Sequence, residues 1–241
     1  MRLKVLGSGS SGNCYMLEND KEALIIEAGL PFREVKKALD FNVMKIKAVI
    51  TTHFHIDHSL YSLQYVQAGI PVFEPCRPPI KDSEMRFRKG NFDIRAFENR
   101  DKSGRWLHNN GDGSECPCVG FYITHPEMGS LVYATDTEYV RWRFNGVNHI
   151  MVEANYDMQF VNREEPNYEH RLIGHMSLPT ALDFISTNDN PALRNVVLIH
   201  LSDKSADSAL FKQKTEETVK YGANVYIAEK GLEVDMNLCP F

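Results

Sequence analysis

The chain has 241 residues, 43% of them hydrophobic, enough for one sizeable core, so a single domain over 1–241 is expected. Lys and Arg number 27 against 32 Asp and Glu, a net charge of −5, which excludes a global basic field of the kind that drives non-specific nucleic-acid binding. No stretch approaches the about 18–20 continuous apolar residues of a membrane span, and the five cysteines are too scattered for a disulfide framework, so a reducing cytoplasm is the expected setting.

In chain order, Leu3 to Leu6 reads as a first strand, rather than a signal peptide, that runs into a Gly/Ser-rich loop ending at Asn13. Tyr15 to Leu17 and Ala23 to Ile26 form a hairpin, and Pro31 opens a helix with Phe32, Val35 and Leu39 on its apolar face. Lys47 to Ile50 is a short buried strand. After it, Leu60, Leu63 and Val66 supply the stripe of a helix that stops at Gly69. Pro71 to Phe73 and Phe92 to Phe97 are short strands, and Val119 to Thr124 with Leu131 to Ala134 is a second hairpin. His149 to Val152 and Val196 to Ile199 are buried strands with polar residues at their ends. Ser177 caps a helix with Pro179 in its first turn, Ala206 to Tyr221 is an amphipathic helix, and Asn224 to Ala228 a late strand. This order gives the α/β class, with sheets inside and helices outside in two similar halves.

The most informative stretch is His53-Phe54-His55-Ile56-Asp57-His58, on the loop leaving the Val49-Ile50 strand. Three imidazoles and a carboxylate within six residues suit zinc, manganese or iron. Four such side chains on one short loop seldom converge on one tetrahedral ion; two adjacent ions, completed by ligands from further along, fit better. Three isolated residues at strand ends qualify: His108, Asp136 and His200. Singly, each also reads as a hydrogen-bonded structural residue or a turn cap.

Together these residues resemble the metallo-β-lactamase-fold hydrolases: His53-x-His55-x-Asp57-His58, then His108, Thr135-Asp136-Thr137 and His200-Leu201-Ser202 stand in that family's order. The Gly7-Ser8-Gly9-Ser10-Ser11-Gly12-Asn13 start and Ile25-Ile26-Glu27-Ala28-Gly29 extend the likeness over nearly the whole chain, although the family's acid at the Glu27 position is commonly Asp. The resemblance implies a four-layer αββα sandwich with two divalent metal ions. His53, His55 and His108 would hold one, Asp57, His58 and His200 the other, and Asp136 would bridge. With both Asp57 and His58 present and no cysteine ligand, antibiotic hydrolysis is disfavoured.

Glu153 ends a strand and His175 precedes a helix; a carboxylate orienting an imidazole that protonates a leaving alkoxide is a sound acid arrangement. The pair is similar to one in the tRNase Z branch, while the spelling Glu-Ala-Asn-Tyr, Arg171 ahead of His175, and His-Leu-Ser is closer to the YycJ/WalJ-like group, which is associated with exonuclease action on DNA. That resemblance implies a phosphodiesterase, with Asp57, Glu153 and His175 in catalysis. A small-molecule (cyclic-nucleotide or similar) phosphodiesterase and a tRNA-processing endonuclease are the alternatives, and a binding module without turnover a third. Ser10, Ser11, Asn13 and Arg171 are candidate substrate contacts; a tight turn and a surface ion pair serve those positions equally. Two clusters, Arg86-Phe87-Arg88-Lys89 and Arg141-Trp142-Arg143, interleave cations with a ring as strand-binding surfaces do, and as solvated turns also do. Cys116 and Cys118 read as free thiols or, with Cys76, as a structural zinc site.

Overall fold

A computed structural model describes residues 1–75, 85–162, 164, 168 and 172–238. Cys76 and Arg171 lie outside the described residues, and with them the Cys76 zinc reading and the Arg171 contact. The α/β expectation holds: two sheets form, and helices accompany both. Among the described residues no helix is long and apolar enough to cross a membrane. The chain divides into two units, Met1–Ala96 with Ile123–Gly129 and Ala228–Phe241, and Phe97–Tyr122 with Ser130–Ile227.

In the first unit the strands are β1 (Arg2–Gly7), β2 (Cys14–Glu18), β3 (Ala23–Ile26), β4 (Ile46–Ile50), β5 (Val72–Phe73) and, near the end of the chain, β13 (Glu233–Asp235), ordered β13-β1-β2-β3-β4-β5. β1 to β3 pair antiparallel, as the hairpin signal predicts, whereas β3, β4 and β5 are parallel. Every residue of β2 but Glu18 and all of β3 are buried, so these strands read as continuous apolar runs. Helix α1 (Phe32–Ala38) starts after Pro31 and buries Phe32 and Val35.

The helix after the histidine loop departs from expectation. α2 (Ile56–Ser59) begins inside the motif itself, and a separate α3 (Ser62–Gln67) follows. Leu60, Leu63 and Val66 are more than half exposed; the residue that goes inward is Tyr65, whose ring lies 4.6 Å from that of Phe32. A helical period fixes which residues share a face but not which face turns inward, and here the bulkier ring takes the core.

Two strands lack the expected apolar signal. β13 is a short, charged edge strand beside β1. β6 (Arg86–Lys89) pairs antiparallel with β7 (Phe92–Glu98), and Arg86 and Arg88 both bond the Asp93 carboxylate at 2.5–2.6 Å. Those bonds, from Arg86 and then Arg88, hold the Asp93 carboxyl well below its usual range. Phe87 stacks on Phe73 with ring centroids 4.9 Å apart. The first basic cluster is therefore a hairpin brace whose two arginines share the Asp93 carboxylate.

The second unit carries four parallel strands in the order β12-β11-β10-β9: β9 (Gly129–Ala134), β10 (His149–Glu153), β11 (Asn195–Ile199) and β12 (Asn224–Ile227). β10 and β11 are buried throughout, as strands covered on both faces must be. α4 (Leu178–Asn188) is capped by Ser177, which accepts from the Thr180 amide, and α5 (Ser208–Thr218) by Asp207, which accepts from Leu210. The remaining strand, β8, spans Val119–His125. Cys116 and Cys118 are buried free thiols.

Candidate metal centre

The four donors of the first unit lie beyond the carboxyl end of β4, a parallel strand next to β3, where open α/β sheets present their functional groups. His53 and His58 are fully buried. Their ring centroids are 4.3 Å apart, and those of His53 and His55 4.6 Å. Asp57 Oδ2 lies 3.2 Å from His58 Nε2.

Glu27 organises this loop from the end of β3. It is completely buried and adopts φ 67°, a left-handed conformation that a non-glycine residue holds only when its surroundings impose it. The Thr52 hydroxyl donates to Glu27 Oε1 at 2.7 Å, and His53 Nδ1 sits 2.9 Å from that hydroxyl oxygen. With its proton committed to the carboxylate, the hydroxyl accepts from His53 Nδ1–H, which leaves the Nε2 lone pair for a cation. Glu27 Oε1 also lies 3.3 Å from His58 Nδ1, so the same carboxylate stands behind both rings. A carboxylate behind an imidazole is the usual support of a metal-binding histidine.

The Gly/Ser-rich loop locks this arrangement. Asn13 Oδ1 accepts from the Gly9 amide, and its Nδ2 reaches Asp57 Oδ2 at 3.3 Å and His58 Nε2 at 3.0 Å. Asn13 is fully buried, so its predicted substrate contact is replaced by a bracing role; Ser10 and Ser11 are exposed. A Cβ on Gly29 would lie 1.8 Å from the Asp57 carbonyl oxygen, so only glycine permits the loops to approach. Burial and then the Glu27 carboxylate push the neighbouring Cys14 thiol up to about 12.

In the second unit the donors come from separate strand ends. Asp136 follows β9, Glu153 ends β10 and His200 follows β11, and the register pairs Ala134 with Val152 and Glu153 with Ile199. Asp136 and His200 adopt φ 51° and 54°, so two of the predicted ligands sit in strained backbone, a signature of functional positions. Asp136, Glu153, His175 and His200 each offer one ligand atom, all within 4.8 Å of one another. Thr135 Oγ donates to Asp136 Oδ2 at 2.6 Å, and His108 Nε2 is 3.9 Å from Asp136 Oδ1. His108 Nδ1–H donates to the Gly174 carbonyl at 2.8 Å, which again puts the ring lone pair on Nε2.

Glu153 is the counterpart of Glu27. Its Oε1 accepts from His175 Nδ1 at 2.7 Å and His200 Nδ1 at 3.0 Å, and its Oε2 from the amides of Met176 at 3.1 Å and Thr137 at 3.4 Å. With four donors around it, this carboxylate is a brace rather than a ligand. Burial alone would raise its pKa; the His175 charge opposes that, Asp136 adds to it, and the hydrogen bonds from His175 and His200 carry the balance, so the group is held below the ordinary glutamate range. Asn155 Nδ2 donates to the His200 carbonyl at 2.9 Å. His175, at 13% side-chain exposure, keeps a path to solvent.

Each unit thus brings its own predicted donors together, and both sets are imidazole-carboxylate groups suited to zinc, manganese or iron. Sequence reading missed Thr52, Asn155 and the bracing role of Asn13. Their only signal was adjacency: Thr52 precedes His53, and Asn155 stands two residues beyond Glu153.

The model of the metallo-beta-lactamase superfamily matches residues 7–133. The exodeoxyribonuclease YycJ of Bacillus anthracis is 22% identical, over 97% of this chain and 92% of its own. The exodeoxyribonuclease WalJ of Streptococcus pneumoniae serotype 2 is 24% identical, over 85% of this chain and 82% of its own. Among solved structures, the metallo-beta-lactamase fold protein YhfI from Bacillus subtilis superposes with TM-score 0.67 at 16% identity, covering 97% of this chain and 98% of that one.

Proposed function

The chain belongs to the metallo-beta-lactamase superfamily and is a metal-dependent hydrolase, and on that premise we propose that it is a dinuclear phosphodiesterase acting on nucleic acid, an exonuclease on DNA. On the family resemblance, His53, His55 and His108 would hold one divalent ion, Asp57, His58 and His200 the other, and Asp136 would serve both. When bound, two such cations lower the pKa of a water and offset the charge of a phosphodiester. The observation that carries the reading is the 2.7 Å bond between His175 Nδ1 and Glu153 beside Asp136 and His200. An ester or lactam leaving group needs little help to depart, but a sugar alkoxide leaves poorly without a proton.

Glu153, buried and held below the ordinary glutamate range, accepts from His175 Nδ1 and so orients the ring to give a proton from Nε2. Proton delivery to the departing sugar oxygen is the role of His175, and orientation of that ring the role of Glu153. The names of the YycJ and WalJ relatives support DNA as substrate, and the exposure of Ser10 and Ser11 on the loop that Asn13 braces supports a phosphate contact there.

Purified protein loaded with manganese or zinc, given end-labelled single- and double-stranded DNA, should shorten the strands from one end. Metal analysis should return two ions per chain. Intact DNA alongside rapid cleavage of bis-p-nitrophenyl phosphate would instead identify a small-molecule phosphodiesterase.

A further inference from the structure

We propose that Arg141, Trp142 and Arg143 form a grip for single-stranded DNA, holding the strand outside the metal centre; this rests on the nuclease reading above and names how its substrate is held. All three are exposed, and Trp142 retains 43% of its surface. The segment has no regular secondary structure, yet it is fastened at both ends. Before it, the Glu138 amide donates to the Leu107 carbonyl at 3.0 Å and the Glu138 carboxylate receives both Arg105 Nη atoms at 2.7 and 3.2 Å. After it, the Phe144 amide donates to Asn188 Oδ1 at 2.6 Å, and its ring stacks on Tyr122. The triplet is an exposed segment whose backbone is tethered on both sides, which limits the backbone ordering that binding there would cost.

The side chains themselves are arranged for a base flanked by phosphates. The Trp142 indole N–H donates to the Glu98 carbonyl at 3.3 Å, which fixes the plane of the ring. The Arg141 guanidinium stands 4.4 Å from the ring centroid. Among the described residues neither Arg141 nor Arg143 is paired with a carboxylate, in contrast to Arg86 and Arg88, which share Asp93. In a chain of net charge −5, two exposed guanidiniums on either side of Trp142 in the chain, of which Arg141 covers one face of the indole and reaches only the Asp101 carbonyl at 3.5 Å, are a local exception, and a polyanion is the complementary partner. The indole specifies an unpaired strand, because bases in a duplex have no free face to offer, while every unstacked base does. Arg141 stands five positions beyond Asp136, a reach of at most about 17 Å, so a strand that meets Asp136 can lie along this segment.

The test uses metal-loaded protein and a fluorescein-labelled phosphorothioate oligothymidylate, with anisotropy read across a salt series. W142A should bind roughly ten-fold more weakly. R141A/R143A should reduce the slope of log affinity against log salt by about 1.4, two charges at about 0.7 each on a single strand, and R141K/R143K should restore it. All three should hydrolyse bis-p-nitrophenyl phosphate like the parent. Parent-like affinity and slope in W142A and R141A/R143A, or no binding by the parent, would overturn the grip and leave the nuclease reading standing. Failure of the parent to shorten natural DNA, with the binding differences intact, would remove the nuclease reading and leave the grip.

Discussion

In the first unit four donors come from one loop of six residues, and Glu27 braces them through Thr52 at His53 and directly at His58. In the second unit the donors come from separate strand ends, and Glu153 gathers His175 and His200 onto a single oxygen. Both glutamates are completely buried. The difference lies in what they face: the partners of Glu27 are held inside, whereas Glu153 has one, His175, that keeps access to solvent. The same device, a buried carboxylate behind an imidazole, therefore stands fully enclosed in one place and beside a partly exposed imidazole in the other, and the proposed function adds proton supply to positioning only in the second.

The largest effect that bears on this contrast is Asp136→Asn. It exchanges the anionic ligand for a neutral amide of the same shape, so metal content and turnover should fall together, turnover by roughly 10³-fold or more, as atomic absorption and DNA cleavage would report. Normal metal content with lost activity would move Asp136 out of the ligand set. His175→Ala follows. It should keep its metal but slow turnover by roughly 10²–10⁴-fold on DNA, and much less on a p-nitrophenyl ester, whose phenolate departs unaided. Equal losses on both substrates would strip His175 of the proton-donor role and make Glu153 a second Glu27.

The two halves also differ in how far they could be read from the sequence. The histidine loop was legible because its donors are neighbours in the chain and follow a β-branched run. His108, Asp136 and His200 were legible only as isolated polar residues after apolar strands, and needed the loop to give them meaning. The bracing residues were not legible, because Thr52, Asn13 and Asn155 act through partners fixed by folding: Asn13 meets Asp57, 44 residues away, and Asn155 meets His200, 45 away. Nor was the strained backbone at Glu27, Asp136 and His200, since positive φ announces itself in sequence only where glycine supplies it. Most strands and helices matched their apolar periods. The exceptions were polar edge strands such as β13, and the exposed Leu60, Leu63 and Val66, where Tyr65 won the core.

Smaller effects sharpen the comparison at Glu27. Glu27→Gln keeps the volume but removes the charge that orients two imidazoles. A carboxamide oxygen at the Oε1 position can still face both Thr52 and His58, but its NH₂ then replaces Oε2, which accepts from the Thr52 amide at 3.3 Å, so donor meets donor there and the loop that carries the imidazoles shifts. Metal affinity should therefore fall by roughly 10–100-fold, and activity should return when excess metal is supplied. Thr52→Val is the milder version. It breaks the link to His53 and leaves Glu27 beside His58, so the loss should be nearer the lower end of that range and confined to one of the two ions. A chelator titration distinguishes the cases: Thr52→Val should release one ion early and one at the parental concentration, whereas Glu27→Gln should release both early. If Glu27→Gln behaves instead like His175→Ala, with full metal and slow turnover, then Glu27 supports more than geometry, and the two glutamates are closer in function than their surroundings imply.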